Sequence, residues 1–200
     1  VISGGIVGCS DSSKTLSSTE LLRDATAMGE KGNWREAIKL SRHAVRKNPK
    51  DANALVILAL GLEQNGESAS ALDSLQLAVK MTPENFMAQF TLGRMLFQLG
   101  KYEECVAPLK NARDLDQDNV DTVILLAKTM EMLNLPECAE YYHILAMSKR
   151  FINKPEPFNE LGVYYTKKND YKRASSYFIK AYKMAPQNHI VVYNLAVFLD

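Results

Sequence analysis

Gly32-Asn33-Trp34-Arg35-Glu36-Ala37 returns in form as Gly100-Lys101-Tyr102-Glu103-Glu104-Cys105, and again as Asn169-Asp170-Tyr171-Lys172-Arg173-Ala174. In each copy a turn-forming Gly or Asn is followed by an aromatic ring and then by a small residue. A second small residue stands at a fixed offset beyond: Ala44, Ala78, Ala112, Ala146 and Ala181, at steps of 34, 34, 34 and 35 residues. Pro49, Pro83 and Pro186 close three of the units at the same offset. Self-similarity at such a period is the signature of a repeat architecture, in which each unit buries its apolar face only by stacking on its neighbours.

The first half of each unit keeps its own register. Leu58, Leu92, Leu126, Leu161 and Leu195 are equivalent, and each precedes a small residue: Ala59, Gly93, Ala127, Gly162 and Ala196. A large-small pair lets two helices approach closely while the leucine fills the gap. The second half repeats Ala37, Ala71, Cys105, Ala139 and Ala174. Leu55, Leu58, Ala59 and Leu62 fall on one helical face, as do Ala71, Leu75 and Ala78. Breaks at Asn65-Gly66, Leu99-Gly100 and Asn169-Asp170 offer residues that accept the left-handed conformation of a helix C-cap. Each unit therefore reads as two helices joined by a tight turn.

These residues resemble the tetratricopeptide repeat family, whose pattern is a bulky residue, Leu-Gly, an aromatic, then a second aromatic, Ala, a third aromatic, Ala and Pro. Phe158, Leu161, Gly162, Tyr165, Tyr171, Ala174, Phe178, Ala181 and Pro186 match every position. The resemblance implies an all-α fold, an α-solenoid of helix-turn-helix hairpins coiled into a right-handed superhelix, over residues 18–200. The units read 18–51, 52–85, 86–119, 120–153 and 155–188, with a sixth beginning at residue 189. Four departures stand out. Asp24 replaces the leucine of the first unit, so its first helix is expected to be frayed or capping. Gln117 and Phe151 replace the closing proline. Pro136 takes the place of the aromatic, where the first turn of a helix needs no amide donor. One extra residue, near Phe151-Ile152-Asn153-Lys154-Pro155, reads as an insertion in a turn.

The chain has 200 residues, 46% of them hydrophobic, enough for a continuous core. Lys plus Arg is 24 and Asp plus Glu is 23, a balance that gives no electrostatic reason to expect nucleic acid binding. No apolar run is long enough to span a membrane. The sequence shows no phosphate loop, no metal-ligand spacing among its three cysteines and three histidines, and no nucleophile-base constellation, so neither catalysis nor a metal or cofactor is expected. Cys105 sits in a small-residue slot and reads as core, Cys138 as a surface or half-buried thiol, and His143 as a core histidine in an aromatic slot.

The two ends carry further expectations. Ile6-Val7-Gly8-Cys9 resembles a bacterial lipobox, which implies cleavage before Cys9 and acylation of its thiol. Residues 1–8 then read as the remnant of a signal peptide and 9–17 as a Ser-rich tether. The chain lacks an initiator methionine and is expected to begin inside a longer reading frame. At the other end, Val192, Leu195, Ala196 and Leu199 form an apolar stripe on a helix without its hairpin partner, so further repeats or another domain are expected beyond Asp200.

By the register of the family, the first helices line a concave groove. Its positions in the second unit are Asn53, Val56, Ile57, Leu60 and Gln64, and in the third Met87, Phe90, Thr91, Arg94 and Phe97. In the fourth they are Asp121, Ile124, Leu125, Lys128 and Glu131, and in the fifth Glu156, Asn159, Glu160, Val163 and Lys167. Val56, Ile57, Leu60, Phe90, Arg94, Phe97, Ile124 and Lys128 are the candidate partner-binding residues. Apolar anchors beside Arg94 and Lys128 suit a partner segment that carries hydrophobic side chains and an acidic group. A clamp for a terminal carboxylate, as in chaperone-tail binders of the family, is excluded because Ile57, Thr91 and Leu125 stand where its polar residues would be. The function expected is a protein-binding scaffold anchored by lipid on Cys9 in a bacterial envelope. The alternatives are a cytoplasmic adaptor, or the recruitment region of a larger enzyme continuing beyond residue 200.

Overall fold

The computed structural model describes residues 16–151 and 153–199, and among them every regular element is an α-helix. The helices alternate as hairpins: α1 (Ser18–Glu30) with α2 (Trp34–Lys47), α3 (Ala52–Gln64) with α4 (Ser68–Met81), and α5 (Phe86–Gln98) with α6 (Tyr102–Leu115). Then come α7 (Val120–Met132) with α8 (Glu137–Met147), α9 (Glu156–Lys167) with α10 (Tyr171–Met184), and the single helix α11 (His189–Leu199). The chain divides into two compact units, Val1–Ala88 and Gln89–Asp200, the boundary falling in the first turn of α5.

Five turns have one construction. Gly32, Gly66, Gly100, Asn134 and Asn169 all have positive φ, between 56° and 82°. In each, the amide three residues past the helix reaches back to a carbonyl inside it: Asn33 to Met28, Glu67 to Leu62, Lys101 to Leu96, Leu135 to Met130, and Asp170 to Tyr165, at 2.8–2.9 Å. This is the Schellman arrangement, which satisfies carbonyls a helix end would otherwise leave open. Glycine serves three turns and asparagine two because both tolerate the left-handed region.

The first helix of most hairpins opens on a polar cap at the same period. Asp51 accepts from the amides of Asn53 and Ala54, Asn85 from Ala88, and Asn119 from Thr122. Ser17 and Glu20 form a reciprocal capping box at the start of α1. Of the two expectations for this helix, frayed or capping, fraying does not hold: α1 runs for 13 residues, and Asp24 pairs with Arg23 at 3.3 Å.

The repeated small residues mark where helices touch. In the first unit Ala37, Ala44, Ala59, Ala71 and Ala78 are buried together with Leu55, Leu62 and Leu75. There α1 packs on α2 and α3, α2 on α3, and α3 on α4. In the second unit Leu126, Ala127, Leu161, Ala174, Phe178 and Ala181 are buried. A Cβ placed on Gly93 would lie 2.5 Å from the Leu109 side chain, and one on Gly162 would lie 2.6 Å from Phe178, so each glycine holds a helix crossing that alanine would push apart. The final pair departs: Leu195 is half-buried and Ala196 exposed, and the buried residue of α11 is Val191.

The region after α8 is more than a one-residue insertion. Pro136 stands just before α8 as its N-cap, and the helix ends at Met147 after 11 residues, where α2, α4, α6 and α10 have 14. The path from Ser148 to Pro155 therefore takes eight residues, against four from Asp116 to Asn119. Cys138 is fully buried, contrary to the expectation of a surface or half-buried thiol, and burial raises its pKa to about 11. His143 is exposed and not in the core. Its ring meets Tyr177 edge-on at 5.5 Å, and its Nε2 lies 3.1 Å from the Tyr177 hydroxyl.

Candidate functional site

Side chains of the first helices line cavities in both units. In the first unit, a cavity of about 190 Å³ lies between α1 and α3. Thr26, Gly29 and Glu30 form one wall, Ile57 and Leu60 the other, and Trp34 closes one side. The indole packs against Gly29, where a Cβ would sit 3.0 Å from the ring. Ile57 and Leu60 thus stand at an open surface. Val56 does not: it is 2% exposed and belongs to the helix packing, which corrects its assignment to the groove. Residues 56 and 57 point about 100° apart on a helix, so only one can face the opening.

The second unit holds the larger site, about 450 Å³, and it unites Phe97, Ile124 and Lys128. Phe97 comes from α5, Ile124 and Lys128 from one face of α7, and Glu156, Pro157 and Glu160 from the start of α9. Tyr142 and Leu145 of α8 and Phe151 of the long link also line it. Phe90 and Arg94 are not among the residues lining these two cavities. Phe90 is half-buried, and Arg94 donates from Nη1 to Gln98 Oε1 at 3.0 Å. Asn159, another groove position, is buried and accepts from Asn194 at 3.1 Å.

The charge of this site differs from the sequence expectation. Beside Lys128, three carboxylates line it: Glu131, Glu156 and Glu160. Glu131 is held from both sides, by the Lys167 ammonium at 2.7 Å and by the Tyr142 hydroxyl at 3.1 Å. Burial raises the pKa of Tyr142, with Glu131 and Glu160 adding to the effect, so its hydroxyl stays a donor. Burial also raises the pKa of Glu160, and the neighbouring Glu131 pushes it further up, while Lys128 and Lys167 oppose the shift. An apolar pocket with a desolvated carboxylate at its wall can take an apolar side chain and, next to it, a hydrogen-bond donor or cation.

Tyr142, Leu145 and Phe151 escape a reading confined to first helices. The available signal was Phe151 itself, which breaks the closing-proline pattern at the place where the link becomes a wall. A wider surface depression, about 790 Å³, lies where α8 ends early, bordered by Val120, His143, Ile144, Met147 and Arg150. Arg150 is committed there to Asp121 at 2.6 Å. Among the described residues no cluster of His, Cys, Asp or Glu could hold a metal ion, and no helix is long and apolar enough to cross a membrane. Cys9, the expected lipidation site, lies outside the described residues.

Comparison with known proteins agrees with this architecture. Residues 30–112 match the family model described as anaphase-promoting complex, cyclosome, subunit 3, and residues 155–188 match the tetratricopeptide repeat model. The chain is 27% identical over 133 residues to BBSome complex member BBS4 of Bos taurus, a match covering 66% of this chain and 25% of that protein. It is 29% identical over 102 residues to the DnaJ homolog subfamily C member 7 homolog of Schizosaccharomyces pombe, covering 45% of this chain and 21% of that protein. The chain thus spans about a quarter of these relatives or less. Among solved structures it is similar to YrrB, a TPR protein with an unusual peptide-binding site, with a TM-score of 0.74 at 16% identity, covering 86% of this chain and 89% of that one. A MamA protein gives a TM-score of 0.75 at 19% identity, covering 85% and 92%, and PilF of Pseudomonas aeruginosa gives 0.71 at 20%, covering 92% and 85%. The 34-residue period, five identical helix-ending turns, the two family models and these folds agree: the chain is a tetratricopeptide repeat protein.

Proposed function

We propose that this array, a protein–protein interaction scaffold as tetratricopeptide repeats are, holds a peptide segment of its partner against the exposed faces of its first helices. The observation that carries the reading is the cavity that brings Phe97, Ile124 and Lys128 together, a volume within the range of ligand sites and walled mainly by apolar side chains. The likeness of the fold to YrrB supports it, since that protein has a peptide-binding site. Lined by several separate elements, the cavity offers side-chain pockets along a path, which suits recognition of a segment by spaced anchors.

A photo-crosslinking residue placed at Phe97 or Lys128 tests this. Exposed to extract of the source cells, it should couple to a partner that the same group at Ile179, an exposed position on α10, does not capture. Equal yields at Ile179, or coupling there alone, would put the binding surface elsewhere.

The lipobox-like Ile6-Val7-Gly8-Cys9 supports a second element of the proposal, a lipid anchor on Cys9 that holds the scaffold at a bacterial envelope membrane. When the full reading frame is expressed in a bacterium fed a clickable fatty acid, the protein should carry label, and Cys9→Ala should lose it. Label that survives the substitution removes the anchor from the proposal.

A further inference from the structure

We propose that the cavity between α7 and α9 selects a partner segment carrying an apolar side chain with a lysine or arginine next to it, the cation seating against Glu160 and Glu156. This rests on the reading that the groove binds peptide and adds the chemistry of the peptide. The apolar part follows from the walls: Phe97, Ile124, Phe151 and Pro157 surround a space that an aromatic or branched aliphatic side chain fills.

The cationic part follows from the distribution of charge. Three carboxylates and one ammonium group line the cavity. Nearby cations are already committed. Lys167 bonds Glu131, Arg150 bonds Asp121, and the Lys154 ammonium lies 5.4 Å from the centre of the Phe151 ring. Glu160 is half-buried and, among the described residues, has no cation within ion-pair distance and no donor on its carboxylate; the fields of Lys128 and Lys167 reach it from further off, opposed by that of Glu131. A carboxylate that has lost water without gaining a partner is a site of unmet electrostatic demand, and an incoming guanidinium or ammonium meets it. Glu131 is paired with Lys167, but a partner carboxylate at the same place would face Glu156 and Glu160, which have no ion pair among the described residues, so the pocket discriminates against the acidic segment that the sequence had suggested.

The test is a selection of random peptides displayed on phage against the natural chain, followed by titration of a synthetic consensus peptide into the natural chain and three variants. The selected pool should be enriched in an apolar residue adjacent to Lys or Arg. The consensus peptide should bind the Glu156→Gln, Glu160→Gln double variant about tenfold more weakly or worse, and Lys128→Gln more tightly. A gain of affinity cannot come from a misfolded variant, so the Lys128 arm guards against loss of structure. Enrichment of Asp or Glu beside the anchor overturns the inference, as does a basic consensus bound equally by the double variant. Binding that Ile124→Glu abolishes but the glutamine variants leave unchanged overturns the inference and leaves the groove reading standing. A pool without any sequence in common, and with no peptide that binds, overturns both.

Discussion

At the scale of single residues, glycine does two different jobs in this chain, and alanine substitution separates them. Gly93 lies inside α5, and a methyl group there would sit 2.5 Å from the Cγ and Cδ2 atoms of fully buried Leu109. Gly93→Ala should lower stability by about 1–3 kcal/mol through overpacking, read from denaturant unfolding. Gly100 has open space around it but φ of 74°. Gly100→Ala should cost about 1–2 kcal/mol through the backbone alone. Gly100→Asn should cost distinctly less, because Asn134 and Asn169 hold the equivalent position in later turns. Equal losses for Ala and Asn would show that the turn does not need the left-handed conformation. Glu160 gives a pH signature. Its carboxyl pKa is raised in the folded chain by burial, so the folded state holds its proton more tightly than the unfolded state. The resulting penalty is absent below the ordinary Glu range and grows as pH rises through and above it. Glu160→Gln should therefore melt higher than the natural chain at neutral pH, and the difference should shrink as the solution is acidified towards pH ~4.

At the scale of elements, caps and link lengths decide where helices begin and end. Ser17 and Glu20 fix the start of α1, and the Ser17 hydroxyl accepts from the Glu20 amide at 3.2 Å. Ser17→Ala should cost about 1 kcal/mol and speed amide exchange in the first turn of α1 while leaving α9 and α10 unchanged. Unchanged exchange in that turn would mean that packing of Leu21 and Ala25, both fully buried, holds the helix end without its cap. The polar caps at Ser17, Asp51, Asn85 and Asn119 recur at one period of 34. The early end of α8 was not legible in the sequence. Met147 is 80% exposed, and the following chain leaves the helix so that Phe151 can wall the cavity. Helix propensity does not foretell that, because the residues Met147-Ser148-Lys149-Arg150 contain no Gly or Pro to stop a helix.

At the scale of the molecule, stability in a repeat array is a sum of local terms and neighbour interfaces. Leu161 is completely buried between α9 and its neighbours. Leu161→Ala should destabilise by about 2–5 kcal/mol. Hydrogen exchange should rise in α9 and α10 and in the adjoining α8 and α11, with α1 to α4 keeping their protection. A uniform rise across all helices would show that the array unfolds as one cooperative body.

The sequence by itself determined the repeat, the hairpin, the turn chemistry and the family, because each depends on residues close together in the chain and copied at a fixed period. The left-handed turns at Gly66, Gly100 and Asn169 and the close crossing at Gly162 follow from which residues can occupy such places. Ile57, Leu60, Phe97, Ile124 and Lys128 stand at open cavities because helix register alone sends them outward. Only the tertiary structure decided that Val56 turns into the packing, that Cys138 is buried, and that His143 is not. It also decided the character of the larger site. Register places Lys128, Glu131, Glu156 and Glu160 on facing helices, but which cation each carboxylate obtains depends on distances between side chains far apart in sequence. Lys167 reaches Glu131 across 36 positions, and Glu160 is left with burial and no close partner. Charge in a groove is set by such pairings and by the water they exclude, and neither is written in the period of a repeat.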